Sequence, residues 1–564
     1  MEDPVFELSG FSSQALAGVR RLTHRGMSEM HYLAKMLEVG ALRVEKPQNI
    51  ALTLADLLKF GNYGVIPGIN ARRNPDRLAV IDDFGEITFG DLEHASNAVA
   101  NGLRAKGVTG GDCVAILARN HRWFLIAMFG AARAGARTVL LNTEFSGPQI
   151  TEVCAREGVR LIIHDHEFAH GVQDTAPSLG KLRALAFDPE VDEPAQQPGD
   201  ETLAQLIAAS STAKPPKPAR LPTIIILTSG TTGSPKGASR HTPPSLSPLG
   251  GILSMTPFRR DEVTVLPAPL FHGLGYVHAL LALTTGSTLV LHRRFDAAQV
   301  LTDIERYQAT AVIVVPVMLT RILDALDAAV VKADLSGLRI VFVSGSQLGA
   351  ELATRALRNL GPVVYNMYGS TEISYASIAG PADLTINPST VGRVVTGVRV
   401  RILDEDDRDV QQGAVGRIFA GTFFPFEGYT GGGGKEIVDG LMSSGDLGYF
   451  DEHGLLYVSG RDDEMIVSGG ENVFPAEVED LISGHPGVVE AAATGVDDEQ
   501  WGQRLRAFVV RAENSTVDEA TIKAYVRDRL ARYKVPRDVV FVDELPRNPA
   551  GKVVKRQLGD AHTG

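Results

Sequence analysis

The sequence predicts an α/β protein, with a large N-terminal body of layered α/β subdomains and a small, mobile α+β C-terminal domain. Three observations predict it. At 564 residues the chain is too long for one compact core, and two to four structural units are expected. From about residue 75, short apolar runs alternate with amphipathic helical stretches, the pattern of a buried parallel sheet with helices on its faces. After Gly460 the pattern becomes that of a compact unit of about a hundred residues with its own strands and helices.

Taken in chain order, residues 12–42 read as one or two amphipathic helices. Leu16, Val19 and Leu22, then Met30, Leu33 and Leu37, recur at helical spacing, with Arg20, Arg21, His24 and Arg25 on the other side. Two readings stand: a helix docked on its own core, or one lying on a membrane surface. Gly18 and Gly26 weaken any long helix and favour docking. The body follows as strand Ile87–Phe89, helix 91–103, strand Cys113–Leu117, helix 123–134 and strand Thr138–Leu141. Further strands are expected at Leu161–Ile163, Ile224–Leu227, Val263–Leu266, Ala311–Val315 and Ile340–Val343. The Pro- and Asp-rich segment 187–220 reads as a surface connection. In the C-terminal unit, helix 476–483, strands 488–496 and 505–511, and helix 518–533 are expected, the last capped by Ser515 or Thr516. The expected division is an N-terminal helical extension over 1–60, a body over 61–460, a hinge at 461–463 and a lid over 464–564.

Composition excludes several classes. Net charge is −12 with the acids scattered, so no basic stripe exists for a nucleic acid backbone. Two cysteines, Cys113 and Cys154, cannot staple a chain of this size, so a reducing, cytoplasmic setting is expected. The first residues, MEDPVFELSG, lack the basic start and apolar core of a secretory signal. Val263 to His292 carries no Asp, Glu, Lys or Arg before residue 293, but Pro267, Pro269, His272, His278 and a Thr-Thr-Gly break interrupt it. It reads as buried strand, loop, helix and strand, not as a membrane span.

The strongest chemical signal is Thr228-Ser229-Gly230-Thr231-Thr232-Gly233-Ser234-Pro235-Lys236-Gly237, directly after an expected strand. Glycines let the backbone fold close around an oxyanion, while hydroxyls and exposed N–H groups ligate phosphate. It is not a Walker loop, because Gly233 and Lys236 are not adjacent and a glycine follows the lysine. Four other segments follow in order: Asn366-Met367-Tyr368-Gly369-Ser370-Thr371-Glu372, Ser444-Gly445-Asp446-Leu447-Gly448, Gly460-Arg461-Asp462-Asp463-Glu464 and Asn548-Pro549-Ala550-Gly551-Lys552.

These five segments, in this order over residues 75–558, resemble the adenylate-forming superfamily of acyl-CoA synthetases, amino-acid adenylation domains and luciferases. The resemblance is nearest to its bacterial fatty-acyl-CoA synthetases. It implies ATP and Mg2+ as cofactors, coenzyme A as the substrate thiol, and a small carboxylic acid as the other substrate. Adenylation brings a carboxylate against a triphosphate, so positive charge must offset the repulsion and stabilise the transition state. Lys552 and Lys236 are the lysines that the resemblance gives this work. Glu372 is a hard oxygen ligand suited to Mg2+. Tyr368 offers a face for adenine, with a core tyrosine as the alternative, and Gly369 and Thr371 flank it. Asp446 can accept from both ribose hydroxyls, and Arg461 would reach the ribose or a phosphate. Ser468-Gly469-Gly470-Glu471-Asn472 and Trp501 resemble the segments that form the pantetheine tunnel, and Asp463 resembles the hinge residue of a rotating lid. Met442-Ser443-Ser444 departs from the usual aromatic-basic-Thr before Gly-Asp, which leaves Asp446 in place.

The acid side is less specific. Phe271-His272-Gly273 resembles the position where amino-acid adenylation domains carry an aspartate for the substrate ammonium; here it is His272. An uncharged wall suits an aliphatic acid, because a buried unpaired carboxylate costs several kcal/mol. His272 would gate the reacting carboxylate, and Gly345 would leave room for the chain. The expected reaction is ligation of a medium- or long-chain fatty acid to coenzyme A through an acyl-adenylate. An aromatic-acid ligase, an acyl-AMP ligase that serves a carrier protein and a catalytically silent lipid binder are the alternatives. Retention of Lys236, Glu372, Asp446, Arg461 and Lys552 opposes the last. A homodimer and a peripheral membrane contact through the N-terminal helix are kept open as partners. His164-Asp165-His166 with His170 has zinc-like composition, but a solvated strand-end loop is the favoured reading.

Overall fold

The structure is a computed structural model that describes residues 13–43, 45–185, 201–228, 236–239, 245–330, 332–421, 426, 428–430, 432–462, 465–468, 471–498, 502–548, 551–555 and 557–558. Among the described residues, two mostly parallel sheets make up the body. In the six-stranded sheet the order is Lys181–Arg183, Val159–His164, Cys113–Leu117, Arg137–Leu140, Thr223–Thr228 and Lys236–Ser239. All its pairs are parallel except the last, where Thr223–Thr228 and Lys236–Ser239 form an antiparallel hairpin. The nine-stranded sheet has six parallel strands at its centre, Leu78–Asp82, Thr288–Val290, Val263–Val265, Ala311–Val314, Ile340–Val343 and Val364–Tyr368. Strands buried on both faces need continuous apolar runs, and Val-Ala-Ile-Leu at 114–117 and Ile-Val-Phe-Val at 340–343 supply them.

Helices Phe89–Ala105 and Arg122–Ala134 pack against these sheets. Thr88 and Asp91 close a reciprocal capping box that starts the first of them. Arg133 is fully buried, and its guanidinium is matched by the Glu93 carboxylate, the Asn97 side-chain oxygen and the Gly64 carbonyl. A buried cation without such partners would cost several kcal/mol. The stretch from Val263 to His292 is strand, loop, helix Gly273–Thr285 and strand, and none of the described helices is long and apolar enough to cross a membrane.

A third, antiparallel sheet joins Arg399–Leu403, Gly416–Gly421, Leu441–Phe450, Ile437–Val438 and Leu456–Arg461. The fourth sheet belongs to the C-terminal unit: Glu471–Val473, Ile466–Ser468, Gly502–Arg511 and Val488–Asp498, with Asp538–Val542 added in parallel. It has its own apolar core around Val478, Ile482, Ala507, Ile522 and Val526. The large body and small α+β unit are thus as the sequence predicts.

Four local expectations need correction. The helix expected over 518–533 ends at Arg527 and resumes as a short 3-10 turn, Arg532–Lys534; Asp518, not Ser515 or Thr516, caps it by accepting from Thr521 N–H. The segment 187–220 holds helix Leu203–Ala209, whose Leu203 and Leu206 are buried. His164 and Asp165 are buried rather than solvated. Asp165 meets His121 Nε2 at 3.0 Å and accepts from the Arg119 N–H, and no cluster of metal-ligating side chains occurs among the described residues. The N-terminal stretch forms helices Ser13–Glu38 and Pro47–Gly64, the latter broken at Gly61, then Ile66–Arg73. Its buried face is Ser28, Tyr32 and Met36, whereas Met30 and Leu37 are exposed. Tyr32 sets this rotation: its ring lies against Gly250, and its hydroxyl donates to the Thr396 carbonyl. Glu29 accepts from Ser245 Oγ and from the Leu246 N–H at 2.9 Å, so the described part of this helix is docked on the body.

Candidate active site

The carboxyl ends of the parallel strands converge on one cavity of about 1490 Å3. Open α/β sheets place ligands there because the strands end where helices diverge. Thr223–Thr228, Ile340–Val343 and Val364–Tyr368 each end at or beside residues of that cavity, among them Ser344, Gly345, Tyr368, Gly369, Thr371 and Glu372.

Two antiparallel strands bring the ribose-side candidates together. Asp446 and Arg461 are direct cross-strand partners, so their side chains share a face. Arg461 donates to the Asp446 carboxylate at 3.3 Å, and the Tyr368 hydroxyl donates to it at 2.5 Å. Burial raises the Asp446 pKa, while the Tyr368 bond, Arg461 and nearby Lys552 oppose that shift. Burial and the Asp446 charge hold the Tyr368 phenol well above its usual range. Tyr368 is therefore neither purely a stacking face nor an isolated core tyrosine.

Glu372 lines the same cavity. One carboxylate oxygen accepts from Ser370 Oγ at 2.8 Å and the other from the Tyr429 hydroxyl at 2.7 Å. Lys236 places its ammonium 5.1 Å from the Tyr429 ring centre. Tyr429 therefore bridges Lys236 and Glu372, a role that no motif in the sequence announced. Lys236 itself opens the returning strand of a hairpin rather than sitting within a loop. Gly369 is required by space, since a Cβ there would lie 2.1 Å from the Ser374 carbonyl.

On the acid side, His272 caps helix Gly273–Thr285 with its ring 4.6 Å from that of Phe271. Burial lowers its pKa to about 4, so it is neutral at physiological pH, and its Nε2 has no hydrogen-bond partner. His278, one turn and a half along, is likewise lowered to about 4 by burial.

The C-terminal unit completes the cavity. The loop around Gly551 presses against Val317, and Lys552 lines the cavity close enough to Asp446 to lower its pKa. The Asp480 carboxylate, on helix Pro475–Ser483, accepts from Gln347 Nε2 at 2.9 Å and so ties the two units. Lys236, His272, Gly345, Tyr368, Gly369, Thr371, Glu372, Asp446, Arg461 and Lys552 thus face one space. Ser468 is described only as the end of a strand paired with Glu471 and Gly502. Ser229, Gly230, Thr231, Thr232, Gly233, Asp463, Gly469, Gly470 and Trp501 lie outside the described residues, and Thr228 is described only as the end of its strand.

The cavity thus gathers polar groups at strand ends with a lysine from a second unit, the layout of an enzyme with a large body and a small C-terminal domain. Residues 69–430 match the AMP-binding enzyme family, and residues 477–552 match the AMP-binding enzyme C-terminal domain. The chain belongs to this family, the adenylate-forming superfamily, whose members draw on ATP and Mg2+, with coenzyme A as substrate in its ligase branch. It is 33% identical over 506 residues to an indoleacetate–CoA ligase of Aromatoleum aromaticum, covering 88% of this chain and 96% of that one. It is 30% identical over 521 residues to a fatty acid–[acyl-carrier-protein] ligase of Streptomyces coeruleorubidus, covering 88% and 95%. Among solved structures it is similar to o-succinylbenzoate CoA synthetase of Bacillus subtilis in complex with its acyl-adenylate intermediate, with a TM-score of 0.75 and 26% identity over 88% of this chain and 98% of that one.

Proposed function

We propose that this enzyme ligates a hydrophobic monocarboxylic acid, with no second charged group, to coenzyme A through an acyl-adenylate, releasing AMP and pyrophosphate. The observation that carries the reading is the convergence of Lys552 with Lys236, Glu372, Tyr368, Asp446 and Arg461 on one cavity. In this reading Lys552 stabilises charge on the carboxylate and α-phosphate, and Lys236 with the segment 228–233 holds the outer phosphates. Asp446 and Arg461 hold the ribose, while Tyr368, Gly369, Thr371 and Gly345 frame the base and the acyl entrance. Mg2+ fits Glu372: it prefers one or two carboxylates plus phosphate oxygens, and Glu372 is a carboxylate that borders the cavity. When bound, the ion would neutralise phosphate charge.

Neutral His272 at the mouth of the acyl side supports an acid without a second charge. Ser468, Gly469, Gly470 and Trp501 would meet the pantetheine arm after the lid turns at Asp463. The fatty-acid reading is the finer form of this proposal. An aromatic acid is the second reading, favoured by the indoleacetate and o-succinylbenzoate ligases. The carrier-protein ligase supports a third acceptor class. Pyrophosphate release from C2 to C18 and aromatic acids, with and without coenzyme A, tests all of these. Acyl-CoA formation is the expected result. Pyrophosphate release with no thioester product would sink the coenzyme A reading.

A further inference from the structure

The cavity continues past the adenylation centre. From His272 it follows helix Gly273–Thr285 to its far end, with Val277, Leu280 and Thr284 among its lining residues. From Gly273 to Thr284 that helix rises about 16 Å. The N-terminal helices and the loop between them also line the cavity, through Met36, Leu42, Leu57, Ile66 and Ile69. Met36, Leu42, Leu57 and Ile66 precede residue 69, where the family match begins.

This wall is mostly apolar, with Thr53 and Asn62 also on it, and it is packed. Met36 and Ile66 belong to the same buried cluster as Leu280. Leu42, Leu57 and Ile69 pack on that cluster yet stay only partly buried, because one side of each meets the cavity. The Glu29 carboxylate, which also borders the cavity, is taken up by Ser245 and Leu246. A cavity with one polar end and one apolar end fits a ligand built the same way.

We propose that the N-terminal helices gauge the length of the acyl site, with Leu42 and Leu57 at its far end, and that the substrate is a monocarboxylic acid with an apolar body about 16 Å long. Carbon–carbon bonds of about 1.5 Å advance a zigzag chain by about 1.3 Å each, so the body corresponds to roughly twelve carbons. The inference rests on the adenylate reading above and adds to it which part of the chain sets the acid.

Calorimetric titration of the full chain with butanoyl- and dodecanoyl-sulfamoyladenosine, two unreactive acyl-adenylate mimics, tests it without turnover. The wild type should bind the dodecanoyl mimic more tightly, by up to about fourfold per added buried methylene. Leu57→Trp and Leu42→Trp each fill the far end. Either should weaken the dodecanoyl mimic by on the order of 10²-fold and leave the butanoyl mimic within about twofold. The butanoyl mimic also reports that each variant is folded. Unchanged dodecanoyl affinity in both variants, equal affinity of the two mimics for the wild type, or equal loss of both mimics in the variants would each overturn the gauge and leave the adenylate reading intact. Binding of neither mimic to the wild type would overturn the adenylate reading, and the gauge with it.

Discussion

Gly551 is the point where one methyl group should separate the two half-reactions. It precedes Lys552, has φ of +74°, and a Cβ there would stand 2.4 Å from Val317 Cγ1 and 3.2 Å from Val315 Cγ2. Gly551→Ala therefore carries two costs. The left-handed backbone strain, about 1–2 kcal/mol, belongs to the loop and travels with it in any lid orientation. The clash with Val317 belongs to the lid contact seen here, and overpacking of this kind costs about 1–3 kcal/mol. Only the second cost opposes the adenylating arrangement, so ATP–pyrophosphate exchange should fall about 5- to 150-fold. If thioester formation from presynthesised acyl-adenylate and coenzyme A uses the second lid orientation proposed above, it should stay near the wild-type rate. Val317→Ala removes the clashing Cγ1 and should restore most of the exchange activity to the double variant, a coupling that a double-mutant cycle reads directly. Unchanged exchange in Gly551→Ala, or no rescue by Val317→Ala, would refute the argument that this contact holds the adenylating lid.

Three further outcomes follow from the same geometry. Lys552→Ala should lose pyrophosphate exchange by about 10²–10³-fold, with the thioester half-reaction close to normal; equal loss in both would make the lysine structural. Asp480, raised to about 7 by burial and by Glu479, is penalised when ionised, so lid docking should be strongest when it is protonated and weaken as pH rises from about 4 through about 7. Asp480→Asn should flatten that dependence, measured by the protease sensitivity of the lid, and an unchanged pH profile would remove Asp480 from the docking contact. His278 is lowered to about 4 from 6.5, so the unfolded chain takes up its proton first as pH falls. Its contribution is complete above 6.5 and is lost on acidification through 4, by about 3 kcal/mol. Denaturant titrations of His278→Gln between pH 4 and 7 should show a shallower acid loss than the wild type, and identical slopes would exclude His278 as its source.

What the sequence could reveal depended on whether the cause was local. Buried parallel strands announce themselves, because Val, Ile and Leu must fill both faces, and the expected runs at 113–117 and 340–343 are the observed strands. The pairing of Asp446 with Arg461 was one step further off. Both residues stood in recognisable segments, but their contact depends on the tight turn after Phe450 and on a register shift between Leu447 and Gly448. Tyr429 was invisible for a different reason. It reaches Glu372 from a loop 57 residues away, and a lone tyrosine near a glycine run has no periodicity to mark its partner.

The N-terminal helices show most clearly where pattern reading runs out. Helical spacing finds apolar positions but not which of two apolar stripes turns inward. Met30, Leu33 and Leu37 make an adequate stripe, yet Ser28, Tyr32 and Met36 are the buried one. The choice is made by distant residues: Gly250 leaves the gap that the Tyr32 ring enters, and the Thr396 carbonyl accepts its hydroxyl. Reversing the helix by about half a turn would strand that hydroxyl and the Glu29 contacts, at about 1–3 kcal/mol for each buried group left unpaired. The same rotation turns Met36 toward the cavity wall that Leu57 and Ile66 complete. A segment outside the five motif-bearing stretches thereby becomes part of the surface that an acyl chain would touch. The motifs mark where the nucleotide chemistry is done, and the packing of residues that carry no motif decides which acid fits beside it.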